Sequence, residues 1–167
     1  MSGQSTLLTW QILLPLVAAA AVGFVRPTER AVARVMALTS VGLSMLLNVV
    51  VWLRFEIGAT GMQLVHRLAW MPSLGVDYHL GVDGLGLLMV TLTSLVLWMA
   101  VAASDERTPP AGYALLLFLQ SGLYGAFTAL DFVHWFLFWE LCLIPAYFLV
   151  KLYGGANRSA AAMQFFV

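Results

Sequence analysis

The sequence reads as an all-α polytopic membrane protein, and three observations carry that reading. Of its 167 residues, 62% are hydrophobic and 10% charged, far more apolar surface than a soluble domain of this size needs. The apolar residues fall in runs about as long as the ~20 residues a helix needs to cross the hydrocarbon core. The basic residues are also unevenly placed. If five crossings alternate direction, Arg26, Arg30, Arg34, Arg107, Lys151 and Arg158 fall on one side, and Arg54 and Arg67 on the other. Basic residues mark the cytoplasmic side, so the N-terminus is expected outside.

The first crossing is Leu7 to Val25, interrupted by Gln11 and Pro15, which a span tolerates near its outer part. No basic residue precedes it and the run is too long for a signal-peptide core, so it is expected to stay in the membrane. A short charged connection follows, Arg26 to Arg34. The second crossing is Val35 to Leu53, whose Ser40, Gly42, Ser44 and Asn48 are the small and amide residues that helix contacts in lipid favour.

Arg54 to Gly84 is the one long connection, broken into short pieces by glycines and Pro72. Within it, Leu74 to Leu80 is compatible with a short strand or an irregular turn. His66 and His79 have no third ligand clustered with them, and read as solvated loop histidines rather than a metal site. Asp83 is placed to cap the third crossing, Leu85 to Ala103, with a direct part in transport as the rival reading.

Pro109 and Pro110 are expected to keep Ser104 to Gly112 non-helical. The fourth crossing is Tyr113 to Leu130. Ser121, Gly125 and Ala129 recur there every four residues and suit close approach of another helix. Gln120 and Tyr124 add polar groups near its middle, read as packing before transport.

Asp131 is expected to turn the chain into the fifth crossing, 132–153, and to cap it. One acid, Glu140, lies close to the middle of this run. An ionised carboxylate there costs at least a few kcal/mol, so it needs a partner, water or a proton. Pro145 lacks the N–H that the Leu141 carbonyl would accept, which frees a polar group beside the acid. At ~100° per residue, Tyr147 and Lys151 fall within about 20° of Glu140 on the helical wheel. Acid, phenol and cation form one stripe from mid-membrane to one end. Glu140 is therefore the candidate proton relay, with Tyr147 and Lys151 as its possible path; the alternative is an acid that fixes helix packing. His134 falls about 120° away on the wheel and is not joined to that stripe.

A sixth helix is expected from Ser159, over 159–167. Nine residues reach only ~13 Å, so the chain is expected to be a fragment or one part of a split gene. Zero net charge argues against nucleic-acid binding. The single cysteine, Cys142, excludes an internal disulfide and a cysteine metal cluster, and reads as a small packing residue.

Two stretches carry a family resemblance: Leu80 to Met89, LGVDGLGLLM, and Asp131 to Gly155, above all FWELCLIPAYFLVKLYGG from Phe138. Together they resemble the M-type (chain 4) antiporter-like subunit of proton-pumping NADH:quinone oxidoreductase, respiratory complex I. The pattern W-E-x-x-L-I-P-x-Y-F-L is the specific part, and Trp70, Pro72 and Gly75 ahead of the GVDGL motif fit the same order. The resemblance implies about fourteen helices built on two inverted five-helix repeats. It makes residues 1–167 the N-terminal part of one antiporter-like transmembrane domain. It implies that Glu140 belongs to the proton path and pairs with a lysine on the seventh helix. Partners would be the L-type and N-type antiporter-like subunits and the lipid bilayer. NADH, FMN, iron–sulfur clusters and quinone would bind other subunits, with no cofactor in this chain. A bacterial inner membrane is the expected location. The sequence departs from the family at Gln164, where the family commonly has lysine, and helices seven onward are not in this chain.

On that reading, burial in lipid favours the neutral form of Glu140 and a cation on another helix opposes it. Moving the cation would load and unload the proton. The rivals are an antiporter-like subunit of a membrane-bound hydrogenase or cation/proton antiporter, and a non-transporting structural piece of a membrane complex.

Overall fold

A computed structural model describes residues 5–105 and 107–166. The helices are α1 (Leu7–Gly23), α2 (Arg30–Arg54), α3 (Gly84–Ala102), α4 (Pro110–Thr128), α5 (Phe132–Tyr153) and α6 (Arg158–Phe166). Between α2 and α3 lies an antiparallel hairpin, β1 (Gln63–Met71) and β2 (Val76–Val82). Among the described residues, three helices are long and apolar enough to cross a membrane by length and composition: α2, α3 and α5. Glu106, in the polar connection before α4, and Val167, the expected last residue of the sixth helix, lie outside the described residues.

The long connection differs most from expectation. Leu74 to Leu80 holds most of β2, but the expected irregular pieces before it include a partner strand, β1. Its run from Val65 to Met71 has apolar, aromatic and polar residues without strict alternation. Only His66 of β1 is buried and Arg67 to Trp70 are exposed, so the strand has no continuous apolar face to announce it. The turn is a 3-10 segment, Pro72–Leu74, closed by Gly75 at φ +67°, a left-handed backbone that glycine adopts without steric cost. His66 pairs with Leu80, Arg67 with His79 and Ala69 with Asp77. The register slips between Gln63 and His66, where Leu64 takes φ +53°.

Helix ends follow local chemistry. Asp83 accepts the Gly86 N–H at 2.7 Å, and Asp131 accepts the N–H groups of Val133 (2.9 Å) and His134 (3.2 Å), so both aspartates cap as expected. Pro110 sits inside the first turn of α4 rather than in the turn before it. The first helical position is where proline's missing N–H costs nothing. α2 likewise begins at Arg30, five residues before the expected Val35.

The hairpin packs across one end of the bundle. Ser5 N–H bonds the Val65 carbonyl (3.1 Å), and Leu130 N–H bonds the His79 carbonyl (2.8 Å), so the starts of α1 and α5 meet it. At the opposite end Arg30 donates to the Arg107 carbonyl and Arg34 to the Ala102 carbonyl. Two apolar clusters fill the interior. One, at the hairpin end, holds Leu8, Ile12, Leu80, Leu87 and Tyr124; the other holds Ala19, Ala37, Val41, Tyr113 and Leu117.

Polar side chains are buried alongside these clusters. Tyr124 meets Ser94 at 2.7 Å and accepts from Gln120 at 2.9 Å. Gln11 donates to the Ser44 carbonyl, and Asn48 donates to Thr91. These bonds tie α1 to α2, α2 to α3 and α3 to α4 where lipid offers no alternative partner. Gln120 and Tyr124 thus sit in helix packing. The small residues of α4 divide their task. Ser121 donates to the Ile12 carbonyl of α1, while Gly122 and Gly125 face Cys142 and Phe138 of α5. Gly42 of α2, expected at a contact, meets nothing close.

Candidate functional site: the outer face of α5

α5 runs unbroken from Phe132 to Tyr153 through Pro145, and only His134, Cys142 and Pro145 are buried along it. Its remaining surface carries exposed Phe136, Trp139, Ile144 and Phe148. Glu140 is on this uncovered side, and no hydrogen bond or ion pair to it is present among the described residues. Two turns further, ~10 Å along the axis, is Tyr147, and Lys151 follows one turn later. Lys151 Nζ donates to the Tyr147 hydroxyl at 3.1 Å and lies 5.2 Å from its ring centre. The structure therefore joins two of the three expected residues and leaves the acid apart, on the same face. Along such a face a cation with a hydroxyl beside it could exchange protons with a mid-helix carboxylate through water. The two groups do not touch Glu140 directly.

A second polar cluster lies at the hairpin end, where loop histidines were expected. His66 and His134 are both buried, at 7% and 4% exposure, so His66 is not a solvated loop residue. Strand pairing turns it inward, against α1, where its Nδ1 meets the Thr9 hydroxyl at 2.8 Å. Tyr78 donates to the same hydroxyl at 3.1 Å. The rings of Tyr78 and Phe138 lie 4.7 Å and 4.8 Å from that of His134. Burial pushes the Tyr78 hydroxyl pKa up from its ordinary value, against the opposing bond to Thr9. Partial desolvation also pushes the Asp131 carboxyl up. That push is outweighed by the N–H bonds of His134, Asp77 and Val133 and by the nearby His134, which hold it below the usual carboxylate value. Wheel geometry on α5 alone could not bring these groups together. What joins them is the hairpin register. Gly58, Gly61 and Gly75, all at positive φ, mark where the connection turns, but their positions do not fix which strand residues face inward. No group of three metal-binding side chains forms among the described residues.

No protein-family profile matches the chain. Subunit M of NADH-quinone oxidoreductase from Escherichia coli is 36% identical over 179 residues, covering 96% of this chain and 34% of that protein. F(420)H(2) dehydrogenase subunit M from Methanosarcina mazei is 36% identical over 124 residues, covering 72% of this chain and 25% of that protein. Among solved structures, respiratory complex I from Thermus thermophilus matches with a TM-score of 0.77 and 28% identity, over 93% of this chain and 31% of that one. Fold and sequence together place the chain beside the membrane subunits of respiratory complexes as its relatives. Within that class, the chain's homologues are the M-type, or chain 4, subunits of quinone oxidoreductases. It spans about a quarter to a third of the length of these relatives.

Proposed function

We propose that the chain is the N-terminal part of an M-type proton-translocating subunit, with Glu140 as the mid-membrane relay group. The observation that carries this is the similarity to M-type subunits over nearly the whole chain, with Glu140 on the open face of α5. At 1.5 Å per residue, α1 (17 residues) and α4 (19 residues) reach about 25 and 28 Å. Both lengths suit a hydrocarbon core of about 30 Å. With α2, α3 and α5 they make five crossings, and α6 begins a sixth. The N-terminus and hairpin then lie outside a bacterial inner membrane, and Arg30, Arg34, Arg107 and Lys151 lie inside, as the basic-residue rule favours.

Glu140 faces away from α1–α4. In the assembled subunit a later helix of the same domain covers that face and brings a cation to it. Approach of the cation favours the carboxylate, and its retreat favours the acid. Tyr147 and Lys151 extend the polar stripe toward the cytoplasmic end. L-type and N-type antiporter-like subunits are its neighbours in the membrane. Electron transfer from NADH through FMN and iron–sulfur clusters to quinone belongs to other subunits.

Purification through a tag on this chain tests the reading. The complex retrieved should reduce quinone from an external electron donor and acidify one side of a vesicle as it does so. Retrieval of a hydrogenase or a cation/proton exchange activity without quinone reduction would select the alternative.

A further inference from the structure

We propose that the pocket between α1, the hairpin and α5 is a proton-binding site, with Nδ1 of His134 as the accepting atom. The pocket has a volume of about 530 Å³, and Thr9, His66, Trp70, Tyr78 and His134 are among its walls. His134 is almost wholly buried, yet its Nδ1 has no hydrogen-bond partner. The His134 ring also lies close to the His79 backbone carbonyl. A carbonyl only accepts, so the neutral ring with its hydrogen on Nε2 suits that neighbour, and in this form Nδ1 presents a bare lone pair. A buried lone pair without a donor is costly, and a proton or a water is what satisfies it.

Burying a charged ring is costly, and its neighbours offset that cost. Asp131, the cap of the same helix, accepts the His134 backbone N–H at 3.2 Å and places a carboxylate beside the ring. Across the hairpin, Arg67 is already paired with Asp77 at 2.6 Å, so that cation is balanced. Tyr78, 4.7 Å away ring to ring, offers an aromatic face to an imidazolium. His66 is the second titratable group of the pocket. Tyr78 donates to the Thr9 hydroxyl, which also meets His66 Nδ1, so Thr9 links the two groups. His79 contributes its carbonyl only.

The step is a simple addition. A proton from water joins the Nδ1 lone pair, leaving hydroxide in the water, and the same proton later returns to water. Binding itself needs nothing from the function proposed above. Its use, as a proton-exchange group at the hairpin end of a pumping subunit, rests on that reading.

The test uses the whole membrane complex, with its histidines labelled with nitrogen-15, titrated by magnetic resonance from about pH 5 to 8. One of the imidazole titrations of the native complex should be lost in His134→Gln. The acid limb of the pumping profile should flatten in the same variant. Where that variant fails to assemble, Asp131→Asn keeps both the histidine and a helix cap, and should move the titration to lower pH. Identical spectra with and without His134, or an unmoved titration in Asp131→Asn, would overturn the proposal. Glu140→Gln separates the two ideas. It should leave this titration in place, and normal pumping by that variant would count against the relay while leaving the histidine site standing.

Discussion

Single residues set how close the helices come. A Cβ on Gly125 would overlap the Phe138 ring, and one on Gly122 would meet Cys142 Sγ at 2.7 Å. Gly125→Ala should therefore destabilise the α4–α5 contact by about 1–3 kcal/mol, the usual range for overpacking. Gly42→Ala, at a position with nothing within 4 Å, should not. Thermal stability of the detergent-purified complex distinguishes them. Asp131 makes a pH-dependent contribution whose sign is fixed. Its carboxyl is held below the ordinary value, so its stabilisation is complete above the ordinary carboxylate range and is lost as pH falls through the depressed value. Asp131→Asn should forfeit that contribution near neutral pH while still capping the helix, and remove the acid-side loss, as melting curves from about pH 3 to 7 would show.

At the scale of elements, helices were far more legible in the sequence than the hairpin. Apolar runs of membrane length mark α2, α3 and α5 directly, and Asp83 and Asp131 announce two of the helix starts. The start of α4 was hidden because prolines break helices internally yet suit the first turn, as Pro110 does. β1 was hidden because it buries only His66 and so has no continuous apolar face to announce it. The candidate site divides the same way. Tyr147 and Lys151 share one helix, so wheel geometry sufficed to join them. His66, Tyr78 and His134 come from three elements, and only strand pairing brings them together. Gly75→Ala tests the hairpin itself. A side chain at φ +67° costs about 1–2 kcal/mol, so amide hydrogen exchange should quicken in β1 and β2 while α2 and α3 stay protected.

The whole molecule is asymmetric in what it covers. α1 to α4 enclose apolar clusters and buried polar bonds, while α5 buries three side chains and leaves Glu140 on its open side. An acid at that depth needs cover, and the longer M-type relatives have about two thirds or more of their length beyond the part this chain matches. The basic residues gathered at the end opposite the hairpin agree with one orientation in the membrane. The account turns on whether Glu140 must exchange a proton or only fill space. Glu140→Gln keeps the size and hydrogen-bonding capacity of the side chain and removes its charge and its proton. The decisive measurement is proton uptake by vesicles carrying the assembled complex, read beside assembly on a native gel. The relay predicts an intact complex with pumping, and the quinone reduction coupled to it, sharply reduced, and partial activity in Glu140→Asp. An assembled Glu140→Gln complex that pumps at the native rate would contradict it.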